Sequence, residues 1–459
     1  MQDFRFSFLI LAPFLDPERS EPGKIVSVST LEEAFENLQP TLYLPLPDGL
    51  AQEKGISLCF KRLKDFRPQE IVAQIPWLKG ETTQKEEPPL QEGLEALLSK
   101  VALPEEREEA RASGIMEFVY GNEKFRNLEA AWRGLRLFLS GGLPENVSVL
   151  LVPIGLELLA ETLEDLLPRL ANDPPSIILI DFAFQAVPYH FELLKQLARL
   201  AENLLCPAVV WVGPGFLHLK DWEELKRLPY LPHHLEAAPW APWHTLKDQP
   251  IGEWITMILN RIILRHPYGQ ERSSGPLLFK EKEPLWGSPI WPLALILKES
   301  LNRHGWPFHL TAQEGVRLEG LELEINFPEK RLSQFLEADL YPLAASPYTG
   351  EVFFPKLKTL RGMPLAFQLL VSRMSHFLIF LRSRTAVELS SAEEITQYLQ
   401  REIERLWEGT GRERPEEMRI EAQKAAEGFL VTIELRPPRT LLPLREPVIF
   451  RFLWSKSLT

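Results

Sequence analysis

Residues 147–213 read VSVLLVPIGLELLAETLEDLLPRLANDPPSIILIDFAFQAVPYHFELLKQLARLAENLLCPAVVWVG, and this stretch decides the fold class. Its three apolar runs, at 147–154, 176–182 and 207–213, have the length of buried strands. The two segments between them carry apolar residues at helical spacing. Apolar strands that alternate with amphipathic helices predict an α/β fold with a largely parallel sheet covered on both faces.

The residues before this stretch predict a smaller α/β unit. Residues 4–11 and 56–60 have the pattern of strands, and Pro68 stands where the first turn of a helix tolerates proline. The polar segment GETTQKEEPPLQEG at 80–93 has almost nothing to bury and is typical of a linker. We therefore predict a small N-terminal α/β domain joined to a larger mixed α/β domain with extended terminal strands. The predicted bounds are 1–80 for the small domain, 81–95 for the linker and 96–459 for the large domain, with an outer subdomain within 145–250.

The remaining periodic segments add helices and terminal strands. Apolar spacing predicts helices within 94–139, 251–265 and 291–304. Ser391 and Glu394 form a capping box in front of another helix. Two β-like runs follow, at 428–435 and 447–454, and either could pair with a strand of a neighbouring subunit or within its own chain.

Composition narrows the class of protein. The 459 residues carry a net charge of -12, which argues against a broad nucleic-acid-binding surface. Cys59 and Cys206 are the only cysteines, too few for a disulfide framework or a multi-cysteine zinc cluster, as expected in a reducing cytosol. The N-terminus lacks the basic leader of a signal peptide, and the apolar runs fall short of a membrane span. We predict a cytoplasmic protein that does not insert into the membrane.

Patterns that carry chemistry are missing from the sequence. Neither a glycine-rich phosphate loop nor a metalloprotease, redox or nucleophile motif occurs. His233 and His234, with His244 nearby, favour a plain loop over a metal site because adjacent side chains point apart. Several tryptophans fall within 240–306, which favours a large aromatic core over interface anchors. We predict no catalytic residue, no metal and no cofactor.

The most specific motif is FRNLEAAWRGL at 125–135. It resembles a phrase of the large sheath protein of type VI secretion systems, TssC (VipB). Glu129 and Arg133 stand four residues apart and should pair along a helix, while Trp132 should be buried. The residues of this motif that we single out are Phe125, Leu128, Glu129, Trp132, Arg133, Gly134 and Leu135.

Other segments resemble the same two families in chain order. ISLCFKRLKDFRPQEIVAQIPWL at 56–78 is similar to the small sheath protein, TssB (VipA), and supplies Asp65, Phe66 and Pro68. Toward the C-terminus, IDFAF, RHPYG and SRMSHFLIFLR resemble TssC, as do LWGSPIWPLA with Trp286 and Gly287, and HGWPFHL with Gly305 and Trp306. The turn after the first strand reads APFLDP where TssB has an acidic-glycine form, and the long helical end of TssB is shortened.

The resemblance implies a structural protomer of a contractile sheath and not an enzyme. Its expected partners are further copies of itself in a helical sheath, an inner tube protein of the Hcp kind, a baseplate and a recycling ATPase similar to ClpV, whose contact site the sequence does not locate. The expected location is the cytoplasm, docked on the inner membrane through the baseplate. Two other hypotheses are a baseplate or sheath-end adaptor derived from sheath proteins, and an enzyme with a doubly wound domain.

Overall fold

The computed structural model describes residues 4–48, 50–51, 53–78, 104–269, 279–384, 391–411 and 413–455, so the predicted linker lies outside the described residues. The strands are β1 (Phe6–Ala12), β2 (Val26–Val28), β3 (Thr41–Pro45), β4 (Gly55–Cys59), β5 (Val147–Pro153), β6 (Ile177–Phe184), β7 (Ala208–Val212), β8 (Ile255–Leu259), β9 (Ile262–Arg265), β10 (Leu285–Gly287), β11 (Tyr341–Pro342), β12 (Ala344–Ala345), β13 (Val352–Phe353), β14 (Glu417–Ala425), β15 (Gly428–Arg436) and β16 (Val448–Ser455).

The α-helices are α1 (Leu31–Leu38), α2 (Pro68–Gln74), α3 (Pro104–Gly121), α4 (Glu123–Leu139), α5 (Leu159–Leu170), α6 (Pro188–Asn203), α7 (Leu231–Leu235), α8 (Ala241–Asp248), α9 (Ile290–His304), α10 (Glu329–Glu337), α11 (Leu365–Arg384) and α12 (Ala392–Gly411). Short 3-10 helices lie at Pro17–Arg19, Leu63–Phe66, Leu156–Leu158, Pro214–Leu217, Trp222–Arg227, Ala238–Trp240, Pro250–Trp254 and Ala312–Glu314.

A seven-stranded sheet forms the centre of the protein, in the order β11-β8-β7-β6-β1-β5-β2. Neighbouring strands are parallel except β2, which runs antiparallel to β5. Alternate side chains of β1 enter different cores: Phe8 and Ile10 face one, and Leu9 and Leu11 face the other. The α/β fold class and the parallel sheet with two covered faces are confirmed.

The N-terminal strand β1 lies inside this sheet, between β5 and β6. Phe8 is in register with Val149 on one side and with Ile177 on the other. The region predicted as a small domain therefore contributes an interior strand to the large sheet, while β3 and β4 form a separate hairpin. The domain bounds at 80 and 95 stay a prediction.

Two local predictions differ from the structure. Residues 251–265, predicted as helix, form a 3-10 turn followed by β8 and β9. Every residue of β8 is buried, and a short run that is apolar on all sides cannot be assigned by periodicity alone. The sequence analysis also missed β14, where Glu417, Arg419 and Glu421 occupy the exposed positions and hide the strand pattern.

Helix α11 requires a further correction, because residues Leu365–Ser383 are long and apolar enough to cross a membrane. The sequence analysis expects no such segment. However, 67% of the most apolar window is buried inside the protein, as in the core helix of a soluble domain. The helix packs against the aromatic side chains at the start of the chain, with the rings of Phe4 and Phe377 5.1 Å apart.

Candidate functional site

The motif helix α4 lies against the N-terminal region of the chain. Trp132 is fully buried, and its indole N–H donates to the carbonyl of Phe14 at 3.1 Å. Its ring stacks on Phe35 of α1 with centroids 3.8 Å apart. The predicted burial of Trp132 is confirmed. The helix therefore joins the N-terminal and C-terminal parts of the protein through one tryptophan.

A second contact of α4, besides its contact with the N-terminal region, is with α9. This contact depends on a glycine. A Cβ atom at Gly134 would lie 2.2 Å from the indole of Trp291, so any larger residue would separate the two helices. Lys298 of α9 caps the C-terminal end of α4 by donating to the carbonyls of Phe138 at 2.8 Å and Ser140 at 2.5 Å. A cation at this end also interacts favourably with the helix dipole. The motif glycine thus sets the helix spacing.

A buried ion cluster fixes α4 to the segment that follows β9. The guanidinium of Arg265 donates to both oxygens of Glu129 at 3.0 and 3.1 Å and to both oxygens of Glu281 at 2.5 and 3.0 Å. Arg133 donates to Glu129 at 2.7 Å, and Arg126 donates to Glu281 at 2.7 Å. The predicted pair of Glu129 and Arg133 is confirmed. Each buried acid has two arginine partners, which is the condition for tolerating buried charge.

The arginines keep Glu129 ionised. Burial alone would raise the pKa of Glu129, but the charges of Arg265 and Arg133 outweigh it and hold that pKa below its ordinary value. Burial raises the pKa of Tyr120 well above its ordinary value, and the charge of Glu129 adds to this. Tyr120 keeps its proton and donates to the carbonyl of Phe66 at 2.7 Å. The cluster is therefore linked to the N-terminal region through Tyr120.

The three motif residues of the N-terminal region organise the turn into α2. Asp65 accepts from the main-chain N–H groups of Lys61 at 2.8 Å and Arg62 at 3.1 Å. Phe66 stacks on Phe60 with centroids 4.0 Å apart. Pro68 is buried at the first turn of the helix, as predicted. These residues have structural positions, and their functional role stays a prediction.

The later motif residues also occupy packing positions. Arg261 lies over the ring of Trp286, 5.1 Å from its centroid, and a Cβ at Gly287 would lie 2.6 Å from Leu264. Gly305 ends α9 with φ of 72°, a left-handed conformation that favours glycine. Trp306 is fully buried. These residues make contacts different from those of Trp132, so the motif residues form several packing sites.

A crevice of about 650 Å³ opens at the carboxyl ends of β1, β5 and β6, where doubly wound enzymes bind their ligands. Several of its polar side chains serve structural contacts. Asp16 accepts from the N–H groups of Glu18 and Tyr43, and His190 accepts from the N–H of Gln185. Among the described residues, no group of three or more His, Cys, Asp or Glu side chains could hold a metal ion.

Asp181 is the titratable group of the crevice with the largest consequence for stability. Its carboxylate accepts from the hydroxyl of Ser288 and from the indole of Trp291 at 3.1 Å. Burial raises the pKa of Asp181 to about 7, although both hydrogen bonds oppose the rise. A folded-state pKa above the unfolded value means that the acid favours folding below pH ~4 and loses this contribution as the pH rises to ~7.

We predict that Asp181→Asn stabilises the chain at alkaline pH. Asparagine can accept from Trp291 and donate to Ser288 without carrying a buried charge. The advantage of the variant in free energy of unfolding should grow by about 2 kcal/mol between pH 5.5 and pH 8. Thermal unfolding of both proteins at the two pH values measures it, because the other titrating groups cancel in the difference. An equal advantage at both pH values would contradict the assignment.

The C-terminal sheet, in the order β14-β15-β16, offers the edges at which strands could be added. The two runs predicted as strands are present and pair with each other over their full length. Because β15 has a partner on each side, it cannot take a strand from a neighbour, whereas β14 and β16 each have an open edge. Glu417, Arg419 and Glu421 put charge on the exposed face of β14, which disfavours pairing. Ile449 and Leu453 of β16 are exposed apolar residues.

Comparison with known proteins places two families in this chain. A family model described as VipB, tail sheath N-terminal domain, matches residues 167–334. A second, described as Type VI secretion system, VipA, matches residues 20–109. The type VI secretion system sheath protein TssC1 of Pseudomonas aeruginosa is 20% identical over 241 residues, 46% of this chain and 48% of that protein. The chain carries a VipA-like region followed by a VipB-like region in one polypeptide.

The chain spans about half the length of the TssC1 relative that it matches. Among solved structures, it is similar to the sheath of an extracellular contractile injection system in the contracted state, with 13% identity, a TM-score of 0.43, and 69% and 79% of the two chains covered. The anti-feeding prophage baseplate is similar with 12% identity and a TM-score of 0.42, and 72% of this chain and 78% of that chain are covered. A sheath tail protein of Listeria innocua is similar with 10% identity and a TM-score of 0.39, and 64% of this chain and 59% of that chain are covered.

The sequence reasoning missed the partners that complete the ion cluster. It singled out Glu129 and Arg133 but not Arg265 or Glu281, although Arg265 opens the segment RHPYG that it quoted. A charged residue that ends an otherwise apolar strand is a signal that could have marked Arg265. Asp181, at the centre of IDFAF, is a similar case.

Proposed function

We propose that this chain is the structural protomer of the tubular contractile sheath of a type VI-like injection machine. The observation that carries the proposal is the succession of a VipA region and a VipB region in one chain. The N-terminal region packs into the rest of the protein through β1 and Trp132. Fusion fixes the ratio of the two sheath components at one to one and raises their effective concentration.

The proposed partners follow from this role. The sheath surrounds an inner tube of the Hcp kind, starts on a baseplate and lies in the cytoplasm, docked on the inner membrane through that baseplate. A recycling ATPase of the ClpV kind is a further proposed partner. The work of the sheath is a change between two arrangements of subunits, and a catalytic group is not required for it.

Negative-stain microscopy of the purified full-length protein tests the proposal. We expect tubes of uniform diameter, and co-expression with an inner tube protein of the Hcp kind should fill their lumen. Small closed particles would favour the baseplate or sheath-end adaptor. A protein that remains monomeric at high concentration, with a small molecule retained in the crevice, would favour the enzyme.

The open edge of β16 gives a prediction about assembly. Ile449 and Leu453 are 50% and 36% exposed, so lysine at both positions should change the melting temperature of the unassembled subunit little. Charge on an edge strand blocks the addition of another strand. We therefore expect the double variant Ile449→Lys, Leu453→Lys to remain folded and to lose tubes, as measured by pelleting and microscopy.

A control substitution is available on the other edge of the same sheet. Gln423 of β14 is exposed, and Gln423→Lys adds one lysine, half of the charge that the double variant adds, beside residues that are already charged. This variant should form tubes as the unmodified protein does. If both variants form normal tubes, the prediction that a strand is added at β16 is wrong. Deletion of residues 440–459 is less informative because it removes Phe450 and Trp454, which are buried.

A further inference from the structure

Arg373, on α11, is a buried cation that has no acceptor among the described residues. It is 1% exposed, and within the part of the chain that the structure describes none of its three guanidinium nitrogens has a hydrogen-bond partner. Its surroundings are aromatic: the guanidinium carbon lies 5.0 Å from the ring centroid of Phe4, 5.8 Å from that of Phe6 and 5.5 Å from that of Trp306. Cation–π contacts of this kind offset only part of the desolvation of a charge.

Further donors around Arg373 also lack acceptors. The indole N–H groups of Trp306 and Trp407 are buried and unpartnered, and the two rings lie 4.2 Å apart. The hydroxyl of Ser372, next to Arg373 in the helix, is unpartnered as well. The site therefore collects a positive charge and N–H donors, and what it lacks is a negatively charged acceptor.

The site lies beside a depression in the surface. A cavity of about 790 Å³ is bordered by Phe4, Gly305, Leu406 and Thr410, among others. Phe4 borders this cavity and also covers the guanidinium of Arg373. Because Phe4 precedes the first strand, its side chain can be displaced without breaking the central sheet. Movement of this one ring would connect the cavity to the buried cation.

We propose that Arg373 receives a carboxylate from a second copy of this chain when the subunits assemble. A carboxylate accepts two parallel N–H groups of a guanidinium, which makes the strongest charge-assisted hydrogen bonds in proteins. The chain has 63 acidic and 51 basic residues, so its copies offer more acids than their own bases can pair. The inference rests on the proposed sheath function, because assembly brings the second copy.

Arg373→Met tests the inference. It distinguishes an unpaired charge, which destabilises the unassembled chain, from a charge that stabilises it. Methionine keeps most of the volume and removes the uncompensated charge, so the melting temperature of the unassembled full-length chain should rise by about 3 °C. The same variant should need roughly tenfold more protein to form tubes, since the intersubunit ion pair is lost. A lower melting temperature would mean that the aromatic contacts alone account for Arg373 and would overturn the inference.

Arg265→Met is the matched control, because Arg265 is also 1% exposed but has two carboxylate partners. The melting temperature of the Arg265→Met variant should fall below that of the unmodified chain. A cryo-electron microscopy map of the tubes should show a carboxylate oxygen of another copy about 3 Å from the Arg373 nitrogens. If a small anion or an acid of the same chain occupies that place, the proposal that a second copy supplies the carboxylate is wrong. Unmodified protein that forms no tubes overturns the proposed function and the second copy with it, whereas normal tubes of Arg373→Met overturn only the inference.

Discussion

Arg265→Met should lower the free energy of unfolding of the unassembled chain by about 4–5 kcal/mol, near the upper end for one buried ion pair. The substitution leaves Glu129 and Glu281 buried, and among the described residues Arg133 stays paired with Glu129 and Arg126 with Glu281. Neither carboxylate can reach water, since the two side chains are 0% and 3% exposed. Chemical denaturation followed by tryptophan fluorescence measures the loss.

Neutralising the two acids provides the control for this prediction. In the triple variant Arg265→Met, Glu129→Gln, Glu281→Gln, no buried carboxylate of this cluster remains. Arg126 and Arg133 lose their acid partners, but their side chains are 19% and 12% exposed and reach water, so part of the lost stability should return. A loss below about 1 kcal/mol for Arg265→Met alone would show that the cluster does not hold the fold together. Because the pKa of Glu129 is lowered, the stability from this acid is present above pH ~4.3 and is lost as the pH falls through its folded-state pKa.

Local pattern was sufficient for most elements of this fold. The strands β5, β6 and β7 are continuous apolar runs, and such runs are typical of strands buried on both faces. The position of β1 inside the sheet could not be predicted in the same way. Phe8 pairs with Val149 and Ile177, more than a hundred residues away, and no local periodicity encodes which distant strands become neighbours.

The contacts of the charged groups show the same difference between local contacts, which the sequence predicts, and contacts between distant residues, which it does not. Glu129 and Arg133 pair within one helix, so their spacing of four residues predicts the contact. The contact of Glu129 with Arg265 spans 136 residues and leaves no trace in the spacing. Arg373 is harder still, because it sits in an apolar helix where an arginine would be expected at the solvent face. Its meaning depends on the missing acceptor, which only the packed structure reveals.

Trp132→Ala should cost about 3–5 kcal/mol of folding free energy, the range for removing a large buried aromatic residue. The variant loses the stacking on Phe35 and leaves the buried carbonyl of Phe14 without its donor. Both partners belong to the N-terminal region, so the damage should be greatest there. Hydrogen exchange should show faster exchange of the amides of α1, and chemical denaturation gives the total loss.

Two tryptophan variants make this prediction specific to the contact between the two sheath regions. Trp132→Phe keeps a stacked ring but loses the hydrogen bond to Phe14 and part of the buried ring volume, so it should cost about 1–2 kcal/mol, less than Trp132→Ala. Trp243 is equally buried but lies in the core on the other face of the sheet. Trp243→Ala should therefore destabilise the chain without selectively exposing the amides of α1. If Trp132→Ala and Trp243→Ala give the same exchange pattern, the motif tryptophan is an ordinary core residue. If only Trp132→Ala releases α1, the motif helix holds this part of the VipA-like region on the rest of the protein.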